Sequence, residues 1–379
     1  MRSANYLYLD NAATTKAYDE VVSLFTKVEA ENFGNAASIH GLGISALSLL
    51  NKSRELILKT LGLTKGYRLI FTSGATESNN LAIFGYCLKH QNRGKHVITT
   101  NVEHPSVLET FRHLENYGFE VTYLKVNSKG VIEPEELRKA IRKDTILVSI
   151  MATNNEIGAR NNVKELSKIV HEYPKAVFHS DTTQTVGKEN IDYSCIDMLV
   201  ISGHKVHGLK GSGCLILKDK IELEPRSYGG HQEDGLRGGT ISVSLCCSLA
   251  KALSMVTAKL PAESKRISEI HQQFMDKLSS VKGIEFNSNS ECSPYIINFS
   301  LTEKKAAVVV EALSNAGIYV SSVSACNSKV EPKSYVVAAL GKSEKLSSNT
   351  IRISFGEETK PEDAELFASE LKKILEAIR

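Results

Sequence analysis

The sequence predicts an α/β fold: a mostly parallel seven-stranded sheet sandwiched by helices, followed by a smaller α+β unit. Two features carry this expectation. Between residues 68 and 217, short apolar runs of strand length alternate with stretches of helical periodicity. Such alternation implies βα crossovers and parallel strands covered on both faces. After about residue 258 the rhythm changes to a long helix and then strands and helices in mixed order, the pattern of a second unit.

In chain order, Tyr6–Leu9 reads as a short strand ending at Asp10-Asn11-Ala12-Ala13-Thr14-Thr15, a small and polar segment suited to a loop. Asn32–Ser38 is another loop, followed by a helix to about Lys59. The regular part then runs Arg68–Ser73 (strand), Thr76–Lys89 (helix), His96–Thr100 (strand) and Pro105–Tyr117 (helix). Further strands are expected at Glu120–Val126, Thr145–Met151 and Ala176–Ser180, with helices at Pro134–Ile141 and Val163–Glu172. Pro134 suits a first helical position, where its missing N–H costs nothing. Met198–Ser202 and Ser212–Leu217 complete the strands before an apolar helix near Val243–Val256. Pro261 is expected to open a separate helix to about Leu278. Tyr295–Leu301, Tyr319–Ser322 and Thr350–Ser354 follow as strands, with helices at Lys304–Ala316 and Glu362–Ile378.

The formal charge of +3 is near balance and no Lys/Arg block suggests a nucleic-acid tract, so direct nucleic-acid binding is not expected. No run approaches the roughly 18 apolar residues of a membrane span. The first ten residues lack the apolar centre and small-residue cleavage site of a signal peptide. Seven cysteines without metal-type spacing point to a reducing cytoplasm rather than a disulfide framework or metal site. Cys246-Cys247, in an apolar helical stretch, reads as core.

The candidate chemistry gathers at strand ends. Ser202-Gly203-His204-Lys205 closes the run Asp197–Ile201. A lysine there can lose its charge to burial and condense with an aldehyde, although an exposed lysine is the plainer reading of any single one. Ser73-Gly74-Ala75-Thr76-Glu77 joins a strand to a helix and offers free N–H groups as an anion cradle; an ordinary helix cap would look the same. Asp181 follows the strand Ala176–Ser180 and could pair with a pyridinium nitrogen, with Gln184 able to donate to a ring oxygen; Asp181 could equally cap a turn. Asn155, in Asn154-Asn155-Glu156-Ile157-Gly158, offers an amide or an Asx turn, and His104 a stacking ring or a helix cap. Each signal is weak alone. Position strengthens them, because Gly74–Thr76, His104, Asn155, Asp181 and Lys205 all fall just after predicted strands, so one sheet edge could present them together.

These residues sit in a longer series of matches. Tyr8–Thr15, Phe33-Gly34-Asn35, Phe71–Ser78, Glu103-His104, Asn154–Gly158, Ser202–Lys205, Gly235-Leu236-Arg237 with Gly239-Thr240, Ser324-Ala325-Cys326 and Ile351-Arg352 occur in order over nearly the whole chain. In them the chain resembles the NifS/IscS-type cysteine desulfurases, pyridoxal phosphate enzymes of the class V aminotransferase group. The resemblance implies fold type I, the aspartate aminotransferase-like fold. It also implies a large cofactor-binding domain at 15–258 and a small domain made of 1–14 and 259–379. Lys205 would carry the cofactor, with Asp181 at its ring nitrogen and His104 on its ring. Asn155 and Gln184 would approach the 3-oxygen. Ala75, Thr76, Ser202 and His204 would bind the phosphate, and Thr240 would reach the neighbouring subunit's phosphate, which implies a homodimer with composite sites. Arg352 and Asn35 would hold the carboxylate of L-cysteine. Cys326, in a flexible segment 321–333, would take the sulfur as a persulfide for an acceptor protein, such as an iron–sulfur scaffold or a tRNA-thiolation enzyme. The cysteine segment departs from the family pattern at Val323, where glycine is usual. Two other readings stay open here: a selenocysteine lyase or other class V lyase or transaminase, and a non-catalytic sulfur-relay or scaffold subunit.

Overall fold

The computed structural model describes residues 6–322 and 333–378. Seven strands form one sheet in the order Tyr67–Thr72, Gly213–Lys218, Met198–Ser202, Val177–Asp181, Thr145–Ser149, His96–Thr100, Glu120–Leu124. Gly213–Lys218 runs antiparallel to both its neighbours, and every other neighbouring pair is parallel. The remaining strands therefore end on one edge.

Two-residue alternation sends successive side chains to opposite faces of this sheet. Leu199 and Ile201 face one apolar cluster, shared with Ile57, Leu166, Ile169, Leu249 and Leu253 from helices. Met198 and Val200 face the other, formed with Leu81, Phe84, Val107 and Phe111 of the helices Ala75–His90 and Pro105–Glu115. A sheet buried on both faces explains why these strands are continuous apolar runs.

A second core joins the chain's two ends. Ile284–Phe286, Ile296–Leu301, Thr350–Ser354 and Ser321–Ser322 form an antiparallel sheet, while Leu7–Tyr8 pairs in parallel with Ile318–Tyr319. Leu7, Leu9, Phe274, Ile297, Phe299, Ile353 and Phe367 pack together here. The expected strand Tyr319–Ser322 is thus split between two sheets.

The largest departure from expectation concerns Pro261. One helix, Val243–Ser279, runs straight through it. An interior proline costs a helix about 3 kcal/mol. Burial on both sides outweighs that: Leu249, Leu253 and Val256 lie in the first core, Ile267, Ile270, Phe274 and Leu278 in the second. This helix is long and apolar enough to cross a membrane by length and composition, but its apolar side chains are those that pack the two cores. Cys246 and Cys247 are buried on it, as expected. The helix Asp19–Glu31 was not foreseen from the sequence.

Candidate active site

The sheet edge where the parallel strands end carries a cavity of about 710 Å³. Ala75, Thr76, His104, Asn155, Asp181, Gln184, Ser202, His204, Lys205 and Arg352 all line it. Its size is that of a cofactor or small-ligand pocket.

Lys205 ends a single helical turn, Gly203–Lys205, directly after the strand Met198–Ser202. Gly203 is required there, since a Cβ would lie 2.2 Å from the Ser212 hydroxyl. The turn is clamped to the N-terminal segment: the Thr15 N–H and hydroxyl both donate to the His204 carbonyl, at 2.8 and 3.0 Å. The Lys205 Nζ donates to the carbonyls of Ala12 and Ala13, each at 2.6 Å. Burial first, then the Arg352 guanidinium, hold its pKa down to about 8, with Asp10 and Asp181 pulling the other way. Only the neutral amine attacks an aldehyde. Trapping of an added aldehyde at Lys205 with borohydride should therefore fall about tenfold per pH unit below 8 and level off above it. A profile still climbing towards pH 10 would show an ordinary lysine.

Asp181 is the last residue of its strand, one position earlier in the fold than expected, because the strand runs Val177–Asp181. Its Oδ2 accepts from Asn79 Nδ2 at 2.8 Å and its Oδ1 from the Thr183 N–H at 2.9 Å. Asn79 also donates to Ser106 Oγ at 2.9 Å. The Ser106 hydroxyl and N–H in turn meet His104 Nδ1 at 2.8 and 3.1 Å. Asn79 engages the Ser106 oxygen, so its hydroxyl proton is free to donate; Nδ1 is then an acceptor, and the ring proton belongs on Nε2. Burial lowers the pKa of His104, followed by the opposing pull of Asp181 and the push of Lys205. A neutral ring follows.

The segment expected to offer an anion cradle opens the helix Ala75–His90. Gly74 caps the helix Ala75–His90 at φ 153°, in a region that favours glycine, and no side chain caps that helix. The first N–H groups are therefore left for a ligand. Ser202 and His204 flank the cradle. Burial, then Lys205, Lys210 and Lys188, push the His204 pKa down to about 4.

Arg352 is held on several sides. Its Nη1 donates to the Asn155 carbonyl at 2.8 Å, and its Nη2 pairs with Asp10 Oδ1 at 2.9 Å and meets Ser321 Oγ at 3.2 Å. Its Nε is buried without a partner.

Two sequence candidates lie elsewhere. Asn35 is exposed, accepts from the Ala37 N–H at 2.9 Å and lines a different cavity beside Arg54, His231 and Ile241. Thr240 is exposed next to that second cavity. Within one chain, then, Asn35 does not join Arg352 and Thr240 does not join the cradle: each sits on a separate loop beyond the sheet edge. Cys326 lies outside the described residues. Asn79, Asp10 and Lys188 were missed from the sequence. Asn79 alone left a trace, lying one helical turn beyond Ala75 and so facing the same edge.

The donor set can be tested against pyridoxal phosphate. That molecule requires an amine of low pKa, a buried carboxylate for a ring nitrogen, hydrogen-bonding groups for a ring oxygen and amides for a phosphate. All are present on one cavity wall, where Asn155 Oδ1 and Thr183 Oγ1 are also buried without partners. The residues fit the group.

Comparisons with known proteins agree. The family model for aminotransferase class V matches residues 7–367. The chain is 39% identical over 377 residues to a cysteine desulfurase IscS of Dictyoglomus turgidum, covering 98% of this chain and 95% of the relative. It is 37% identical to a NifS/IcsS homologue of Lactobacillus delbrueckii subsp. bulgaricus, covering 97% of each. Among solved structures, a NifS-like protein superposes with a TM-score of 0.91 at 33% identity, covering 98% of this chain and 99% of the other. A structure described as SspA in complex with cysteine superposes at 0.80 with 34% identity, covering 92% and 98%. The fold is thus that of fold type I pyridoxal phosphate enzymes, and the chain belongs to the class V aminotransferase family, among its NifS/IscS-like members.

Proposed function

We propose that the protein is a pyridoxal phosphate-dependent cysteine desulfurase, converting L-cysteine to L-alanine and passing the sulfur to Cys326 as a persulfide. The carrying observation is the convergence of Lys205, Asp181, the Gly74 cradle and Arg352 on one cavity. The cysteine bound to a similar structure supports the substrate.

Lys205 would hold the cofactor covalently, Asp181 would face its ring nitrogen, and Ala75, Thr76, Ser202 and His204 would take its phosphate. His104 would cover the ring, and Asn155 and Gln184 would approach the ring oxygen. When bound, the cofactor supplies an electrophilic carbon and a ring that withdraws electrons from the amino acid's Cα. The protein's own part follows from its geometry. Asp181, held by two donated hydrogen bonds, would present its carboxylate to the ring nitrogen. Lys205, once displaced by substrate and with a pKa of about 8, is a suitable base for the Cα proton. The Arg352 guanidinium has the planar fork that suits a carboxylate.

The described residues on either side of Cys326 support this reading. Ser321, paired with Arg352 in the small sheet, donates to Asp10 Oδ1 at 2.7 Å. On the far side, Ser334 donates to Glu156, and the Tyr335 hydroxyl to the Glu103 carbonyl at 2.7 Å. The described residues flanking the cysteine segment are thus bonded to Asp10 and to Glu156 and Glu103, the sequence neighbours of the lining residues Asn155 and His104. Ser321 Oγ itself lies 3.2 Å from Arg352 Nη2, and Cys326 follows it by five residues in the sequence. We place 15–258 and the remainder as two domains.

A homodimer with composite sites accounts for Asn35 and Thr240. Phe33 is 71% exposed and Ile39 95%, with Leu42, Ile44 and Leu47 also exposed. Such a patch suits an interface, and a second copy seated on it would receive both loops. The sulfur acceptor is a further protein, and a reducing cytoplasm suits the six described cysteines, all free.

Release of alanine from L-cysteine, compared with L-selenocysteine and other amino acids, tests the reading. Preferential release from selenocysteine would favour a lyase. Cys326→Ala should keep the near-violet colour of the bound cofactor and lose the protein-bound persulfide; persulfide formation in that variant would remove Cys326 from the reaction.

A further inference from the structure

One buried lysine has no part in the chemistry above. Lys188 is 9% exposed and stands four residues after Gln184, in a segment of successive helical turns (Val186 N–H to Thr182 O and Glu189 N–H to Thr185 O, each 3.0 Å). Its Nζ donates to Gln184 Oε1 at 2.7 Å. Gln184 Nε2 donates to the Ala12 carbonyl at 2.9 Å, the same oxygen that Lys205 Nζ contacts at 2.6 Å.

Resting on the functional reading above, we propose that Lys188 is a positioning residue: it locks the Gln184 amide with Nε2 towards Ala12 and the cofactor cavity, and strengthens its N–H groups as donors. An ammonium can only donate and a carbonyl can only accept, so the two partners allow a single orientation of the amide. That orientation spends one Nε2 hydrogen on Ala12 and leaves the second for the cavity Gln184 lines. The proton that Lys188 donates to the amide oxygen, most strongly in the ammonium form, polarises the group and makes that second hydrogen a better donor. Ala12 explains why the lock matters. Once Lys205 is committed to the cofactor it gives up donors, and Gln184 is the donor that remains on the Ala12 carbonyl. A buried charge is costly to keep. Burial and the charges of Lys205 and Arg352 press the Lys188 pKa down to about 7, with Glu189 acting the other way.

The test is a double-mutant cycle of Lys188→Met and Gln184→Met, read by the dissociation constant of pyridoxal phosphate and the wavelength of the bound cofactor's near-violet band. The thermal midpoint of each cofactor-free protein is measured alongside. Each single substitution should weaken cofactor binding about tenfold, the size of one charge-assisted hydrogen bond, and shift the band. The double variant should be no worse than either single one. Methionine replaces the buried amine with an apolar chain of similar length; Lys188→Met alone leaves Gln184 Oε1 without its donor, and the double variant removes both groups, so the cofactor-free midpoints separate a loss of stability from a loss of binding. Effects that multiply in the double variant, or a Lys188→Met protein with unchanged affinity and band, would overturn the proposal. A wild-type protein that fails to retain pyridoxal phosphate would instead overturn the functional reading.

Discussion

Lys205→Ala is expected to abolish desulfuration, lowering the turnover of L-cysteine by on the order of 10³-fold or more. Two losses coincide. The cofactor is no longer tied to the chain, and the base next to the substrate's Cα is gone. The fold should survive. Among the described residues Lys205 donates to the Ala12 and Ala13 carbonyls, and Ala12 keeps Gln184 as a donor. The carboxylates nearest to Lys205 keep their other partners, Arg352 for Asp10 and Asn79 for Asp181. Far-ultraviolet circular dichroism should be unchanged, and dialysis should strip the near-violet colour. A variant that retained colour through dialysis, with turnover within tenfold of wild type, would assign the covalent role to another residue.

Asp181→Asn is expected to cost roughly 3–5 kcal/mol of catalysis, the usual penalty for breaking one side of a buried charge pair. At about 1.4 kcal/mol per decade this is roughly 10²- to several 10³-fold in turnover. Asp181 accepts from both Asn79 and the Thr183 N–H. An amide in its place would present a donor to one of two donors, so the network reaching Ser106 and His104 would be disturbed as well. Steady-state alanine formation at saturating cofactor measures this. Turnover within tenfold of wild type would mean that no charge at this position holds the ring nitrogen.

Much of this site was legible in the sequence because the signals were local. Short apolar runs ending in small residues marked the strands, and the site residues followed them; the sheet order then brought those ends to one edge. Ser202–Lys205 and Ser73–Thr76 announced themselves by glycines, which the structure uses for a close approach at Gly203 and an unusual backbone at Gly74. What was not legible depended on packing. Pro261 signalled a helix start, but cores on both sides carried the helix through it. Asn79 and Lys188 are ordinary residues until the fold sets them against Asp181 and Gln184. Asn35 and Thr240 carry no mark showing whether they serve their own chain's cavity or a neighbour's.

The most direct measurement is borohydride reduction of the pyridoxal phosphate-loaded protein, followed by peptide mapping. The reduced pyridoxyl group should be found on Lys205 and nowhere else. Its recovery on Lys188, the other buried lysine of lowered pKa on this edge, or on no lysine at all, would contradict the account.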